Sequence, residues 1–332
     1  MPQVPIMPSP ELAVAQAPSR PTRPRRHLPV LAYPLIGMLL VCVVMSFANA
    51  DFLSVANLLN IVRQVSINGV IAVGMTYVIL SGGIDLSVGS ILALSGTLTA
   101  GLLLAGMSPV LAVAAGLASG VAVGVLNGVL VAYMGMPSII VTLATMGIAR
   151  GLALLYTGGY PIDGLPDGFG LLGRGKLLGV PYPVWLMLVV FALAWVLLAR
   201  TPFGRYVHAI GGNEDATRLS GVRVKRNKLM VYAISGLTAA IAGLVLASRL
   251  MSGQPSAGVS FELDAIAAVV IGGTPITGGR GSVIGTLIGA LTLGVLNNGL
   301  NMMGISPYLQ IVIRGVIILF AIYVGRERIR RG

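Results

Sequence analysis

What most limits the fold of this chain is a recurring pattern of apolar stretches near residues 30–48, 59–80, 88–106, 109–133, 138–157, 182–199, 229–251, 264–273, 282–302 and 308–325. A helix rises about 1.5 Å per residue and bilayer hydrocarbon is about 30 Å thick, so roughly 20 apolar residues cross it once. Most of the stretches approach that length, while the eighth is short and ends at Gly272 and Gly273. The chain is 56% hydrophobic and only 10% charged, a balance outside the range of soluble domains. The expectation is an all-α, polytopic membrane protein of about ten transmembrane helices over residues 30–326.

Orientation follows from the basic residues. With the N-terminus inside, the inner loops and tails receive Arg20, Arg23, Arg25, Arg26, the seven Lys and Arg between Arg200 and Lys228, Arg280, Arg326, Arg328, Arg330 and Arg331, against Arg174 and Lys176 outside. This asymmetry, with both termini cytoplasmic, is what the positive-inside rule asks of a multi-pass membrane protein. The net charge of +12 is therefore topological. The basic residues form no aromatic-interleaved stripe, so no nucleic-acid partner is expected. Residues 1–29 are Pro-rich and basic and read as a disordered cytoplasmic tail, not as a cleavable signal. Cys42 stands alone, and His27 and His208 have no second ligand nearby, so neither a disulfide nor a metal site is expected.

The chain also reads as internally duplicated. Gly124-Val125-Leu126-Asn127 recurs as Gly294-Val295-Leu296-Asn297, Met134-Gly135 as Met303-Gly304, and Pro137 as Pro307, at offsets of 169 or 170. Halves at about 30–157 and 182–326 would hold five helices each, an odd number, and so would run in opposite directions, as inverted repeats do.

The most informative polar interruption is SGGIDLSVGS, residues 81–90. Backbone that leaves a helix at membrane depth is tolerated where protein or a water-filled path satisfies it. Gly82, Gly83, Asp85 and Ser87, with the repeat-related Asn127 and Asn297, are the candidates for translocation or gating. A second reading has Asp85 and Ser87 capping the following helix. Arg63, Arg150, Arg249 and Arg314 lie within or near span ends, where snorkelling or interhelical bonds are the plain explanation. Gly116, Gly120, Gly124 and Gly128, spaced by four, form a stripe for close helix packing, as do Gly281, Gly285 and Gly289.

Enzyme signatures are missing. The stretch from Gly170 to Leu177 has the spacing of a phosphate loop but ends in Leu where Ser or Thr should hold Mg²⁺. No catalytic residue, cofactor site or metal site is expected. Within the 200–228 segment, Asn213, Glu214 or Asp215 can cap a short helix carrying Ala216 and Leu219 and ending at Gly221. Such a helix suits docking into a groove of a soluble partner. The plain alternative is a solvated basic loop.

Three segments carry a resemblance: SGGIDLSVGS, GGNEDATRLSGVRVKRNKLMVYAISG, and the run from IGGTPITGGRGS to SPYLQIVIRG. Over roughly residues 30–325 the chain resembles the permease subunit of ribose-type ABC monosaccharide importers. The resemblance implies a dimeric channel, as a homodimer or with a close paralogue. It also implies a cytoplasmic ABC ATPase, holding ATP and Mg²⁺, that docks on Glu214 to Gly221, and a sugar-binding protein outside. Pro275 stands where that family more often has a small hydroxyl residue. The same architecture serves branched-chain amino-acid permeases, the first alternative. An autonomous secondary transporter is a further one, which would need an ion site built on a membrane-embedded carboxylate. Asp85 is the only clear membrane-proximal carboxylate in this reading.

Overall fold

The computed structural model describes residues 31–313, 315–317 and 319; the N-terminal tail, Arg314 and the basic C-terminal residues lie outside them. In chain order the elements are α1 (Ala32–Ala48), α2 (Val55–Leu80), α3 (Val88–Leu104), α4 (Pro109–Ala132), α5 (Ser138–Thr157), β1 (Ile162–Asp163), α6 (Asp167–Arg174), β2 (Lys176–Leu177), β3 (Val180–Pro181) and α7 (Tyr182–Arg200). Then follow α8 (Pro202–Gly212), α9 (Glu214–Leu219), α10 (Val224–Leu250), β4 (Ser252–Gly253), α11 (Phe261–Ile271), α12 (Val283–Met302) and α13 (Pro307–Ile317). The strands form two small antiparallel pairs, β1 with β4 and β2 with β3. The protein is an all-α polytopic membrane protein. Among the described residues each of the ten apolar stretches holds a helix, and six of these helices are long and apolar enough to cross a membrane.

Helix α10 is the centre of the bundle, packed against α4, α2, α3 and α6. The glycine stripe of α4 makes the closest of these approaches possible. A Cβ at Gly120 would lie 2.7 Å from the Gly236 carbonyl oxygen, and one at Gly128 would lie 2.8 Å from the Leu229 Cα. At Gly124 the obstacle is the Tyr232 carbonyl, and at Gly116 the Thr99 hydroxyl. Without side chains in the seam, the backbones approach closely and gain dispersion contacts that lipid cannot supply. On α12, Gly285 and Gly289 face the Gly272 and Ala268 carbonyls in the same manner. Helix α1, by contrast, exposes Leu35, Ile36, Leu39, Leu40, Val43, Val44 and Phe47, an apolar face fit for lipid or another apolar surface.

The two ends of the bundle differ. One end carries α6 and the strand pairs, with the Gly173 N–H donating to Ser248 Oγ at 2.7 Å; a Cβ at Gly173 would fall on the Arg249 backbone nitrogen, so close packing on α10, rather than a phosphate, accounts for this glycine in the loop-like spacing at 170–175. The other end carries α8 and α9. The segment 200–228 is thus largely helical, and α10 begins at Val224, five residues before the apolar run does. Its first turns carry Lys225, Arg226 and Lys228, so hydropathy does not mark them as part of the helix.

Helix α11 is the short eighth stretch, 11 residues long. At 1.5 Å per residue it rises about 16 Å, half a bilayer. Both α3 and α11 are preceded by non-helical backbone, residues 81–87 and 251–260.

Candidate functional site

The two breaks meet inside the bundle. A Cβ placed on Gly258 would lie 2.5 Å from the Gly89 carbonyl oxygen, and one on Gly89 would fall on the Gly258 carbonyl and within 2.8 Å of Glu262 Oε2. The starts of α3 and α11 therefore touch backbone to backbone, an approach that only glycine allows. Gly258 follows Gly89 by 169 positions, the offset at which the sequence motifs recur.

Just before it, the first break is held by a buried polar chain. Asp85 is 0% exposed. Its Oδ1 accepts from the Ser87 N–H at 3.0 Å and the Ser87 hydroxyl at 2.5 Å, and its Oδ2 accepts from the Ser235 hydroxyl of α10 at 2.7 Å. Ser87 Oγ in turn accepts from Asn127 Nδ2 of α4 at 2.9 Å, and Asn127 Oδ1 accepts from the Thr145 hydroxyl of α5 at 2.7 Å. Every member is buried. The carboxylate is an acceptor only and ends a run of donors from three helices, so the members of this chain satisfy one another, while Tyr232 Oη, buried beside Gly83, has no hydrogen-bond partner among the described residues. Neither Asp85 nor Ser87 accepts an amide from inside α3, whose N-cap has no side-chain bond; the arrangement is a tie between helices more than a cap.

Of the sequence candidates, Asp85, Ser87 and Asn127 are brought together. Gly82 has φ of +81°, and a Cβ at Gly83 would lie 2.5 Å from Tyr232 Oη. Asn297 is elsewhere: it sits near the end of α12 beside Asn298, whose side chain exchanges hydrogen bonds of 2.8 and 3.0 Å with Asn57 near the start of α2. That is the far end of α2 from Asp85.

The second break is held by Arg150 of α5, whose Nη1 donates to the Pro255 and Ala257 carbonyls at 2.5 and 2.6 Å. Glu262 is close enough to interact with it electrostatically. Asp264 is 5% exposed and accepts from Asn68 Nδ2 of α2 at 3.3 Å. The expectation of a single membrane-proximal carboxylate is thus corrected: Glu262 and Asp264 join Asp85. They are easily missed because they open a stretch too short to read as a span. Arg63 Nη2 bonds Asn60 Oδ1 at 2.8 Å, one turn before it on its own helix.

At the α8–α9 end, Asn213 Oδ1 accepts from the Ala216 N–H at 2.9 Å and caps α9. Gly221 follows with φ of +82°, a conformation that favours glycine and closes the helix end. Lys228 Nζ pairs with Glu214 Oε2 at 2.7 Å and Arg218 pairs with Asp215. Leu219, at the tip, is 87% exposed. Behind α9, α8 is pressed on the first break: a Cβ at Gly211 would fall on the Leu80 carbonyl, the Gly279 N–H donates to Leu80 O at 3.0 Å, and His208 Nδ1 lies 3.3 Å from Gly279 O. Pro275 opens the turn closed by the Gly278 N–H, which donates to Pro275 O at 3.0 Å. A continuous set of contacts thus runs from α9 through α8 and the 272–282 loop to the break that carries Asp85.

Comparison with known proteins agrees with a transport role. Residues 57–322 match the family model described as branched-chain amino acid transport system / permease component. The chain is 54% identical to the ribose import permease protein of Bacillus subtilis (strain 168), over 89% of this chain and 92% of that protein. It is 49% identical to the ribose import permease protein of Haemophilus influenzae, over 89% and 94%. It is 40% identical to the L-arabinose transport system permease protein of Escherichia coli (strain K12), over 88% and 90%. These relatives are named for sugars, so the amino-acid alternative is not favoured despite the wording of the family description. No solved structure matches the chain.

Proposed function

This chain belongs to the branched-chain amino acid transport system / permease component family, and from that premise we propose that it is the passive path of an importer whose ATP hydrolysis takes place in a separate chain. It is the multi-pass membrane subunit of an ABC-type sugar importer. In this reading both termini are cytoplasmic, a cytoplasmic ABC ATPase docks on α9, a sugar-binding protein delivers cargo at the opposite face, and a second permease copy completes the channel. The chain itself needs no cofactor. The observation that carries the reading is α9: a capped, ion-paired helix of six residues with a bare leucine at its tip, in mechanical contact with the first break through α8.

The chemistry required is modest. A sugar is neutral and rich in hydroxyls, so the path has to be weakly polar and free of deep unpaired charges that would trap the solute or attract ions. Asp85 and Arg150 meet that demand because each is tied to named partners. When the ATPase pulls or pushes α9, α8 carries the displacement to Leu80 and Gly279, and the break with its Asp85 tie shifts against α4, α5 and α10. Selection among sugars is left to the binding protein, which can enclose its cargo fully.

The orientation is tested by labelling. In a Cys42→Ser background, Ser220→Cys reacts with an impermeant thiol reagent from the cytoplasmic side only. Reaction from outside would put α9 where no ATPase can reach it and would overturn the proposal.

A further inference from the structure

The α8–α9 end also contains a cavity of about 430 Å³ between α8 and the start of α10, lined by Phe203, Tyr206, Arg223, Arg226, Asn227 and Met230 among others. No carboxylate lines it among the described residues, and the neighbouring Glu214 and Asp215 are already paired with Lys228 and Arg218. The Arg223 backbone is fixed by Asn227, which is buried and whose Nδ2 donates to the Arg223 carbonyl at 2.9 Å. Arg223 and Arg226 thus both line one cavity that no carboxylate lines, and the planar fork of a guanidinium suits phosphate oxygens.

The height of the cavity relative to the bilayer can be read from the helices around it. The Arg200 guanidinium lies 5.3 Å over the Trp195 ring near the end of α7, and Lys225 Nζ lies 5.8 Å from the Tyr133 ring centre at the end of α4. Both rings are part-exposed. Part-exposed aromatic rings beside basic side chains at the ends of apolar helices mark the headgroup level of a membrane. Lys225 lies between Arg223 and Arg226 in sequence, so the cavity opens at that level. Its remaining wall is apolar, with Phe203 buried and Met230 part-exposed one turn further along α10. A basic rim over an apolar wall at headgroup height matches an amphiphile with a phosphate head.

We propose that this cavity binds the phosphate headgroup of an anionic phospholipid, held by Arg223 and Arg226, with acyl chain laid along Met230. Ser220 and Gly221, at the end of the α9 segment, also line the cavity, so the site adjoins the proposed docking surface and lipid retention is read apart from ATPase association. The test is to place the purified chain in nanodiscs of mixed phosphatidylglycerol and phosphatidylcholine and to measure retention of spin-labelled phosphatidylglycerol at the protein surface. Arg223→Gln/Arg226→Gln is expected to lower that retention roughly tenfold or more, with phosphatidylcholine retention and helical circular dichroism unchanged. Arg174→Gln/Lys176→Gln, which removes the same charge at the opposite end, is expected to leave it at the wild-type level. Two results would overturn the proposal: equal phosphatidylglycerol retention by the wild type and the Arg223/Arg226 variant, which with a loss of ATPase association would assign the arginines to a protein partner, or displacement of the lipid by millimolar inorganic phosphate, which would assign them to a free anion.

Discussion

Leu219→Asp leaves the chain inserted in the membrane at its normal level and lowers ATP-driven sugar uptake roughly 100-fold or more. The leucine is the exposed tip of α9, so a carboxylate there costs the isolated subunit almost nothing. In the docked state the same carboxylate enters an apolar groove without a counter-ion, and an unpaired buried charge weakens binding by about 3 kcal/mol or more, which is about 100-fold or more. The selectivity is the point: insertion and melting are unaffected, while uptake and ATPase co-purification are lost together. Uptake at the wild-type rate by the Asp variant would remove α9 from the coupling path. Loss of insertion would mean instead that Leu219 is part of the fold.

Asp85→Leu is expected to be as severe for a different reason. The substitution leaves the Ser87 N–H, the Ser87 hydroxyl and the Ser235 hydroxyl without their acceptor in a region that water does not enter freely. Each orphaned donor costs about 1–3 kcal/mol, and the loss falls on the joint between α3, α4, α5 and α10. A summed cost of about 3 kcal/mol or more lowers the melting temperature in detergent by roughly 5–10 °C and leaves little transport per inserted molecule. Asp85→Asn keeps the shape and one acceptor oxygen and is expected to recover most of the stability. A Leu variant that melts and transports like the wild type would show that the break is held by its neighbours and not by this carboxylate.

Much of this was legible from residue order because a bilayer makes hydropathy nearly sufficient: apolar length marks the helices, and a glycine-rich polar break at Ser81–Ser90 stands out against it. Asn213, Leu219 and Gly221 were also readable, since a cap, a short apolar face and a terminating glycine are local signals. The partners of Asp85 were not. Ser235 is one hydroxyl in an apolar run and lies 150 positions away, and nothing in local periodicity connects the two. The Asn57 and Asn298 pair spans 241 positions, and nothing in local periodicity connects these two either. The start of α10 at Val224 was hidden by its own charges, because Lys225, Arg226 and Lys228 keep the hydropathy of that turn low. Glu262 and Asp264 were hidden by α11, a half-length helix whose opening carboxylates read as a loop until Gly89 and Gly258 are seen to touch.

The most direct test of the central claim is uptake of a panel of radiolabelled monosaccharides into proteoliposomes holding this chain, with the ATPase and the sugar-binding protein added or withheld. Uptake that requires both proteins and ATP, and that is unchanged by collapsing ion gradients, is the predicted result. Uptake by this chain alone, driven by a proton or sodium gradient, would contradict the account and make the carboxylates at Asp85, Glu262 and Asp264 the site of ion coupling.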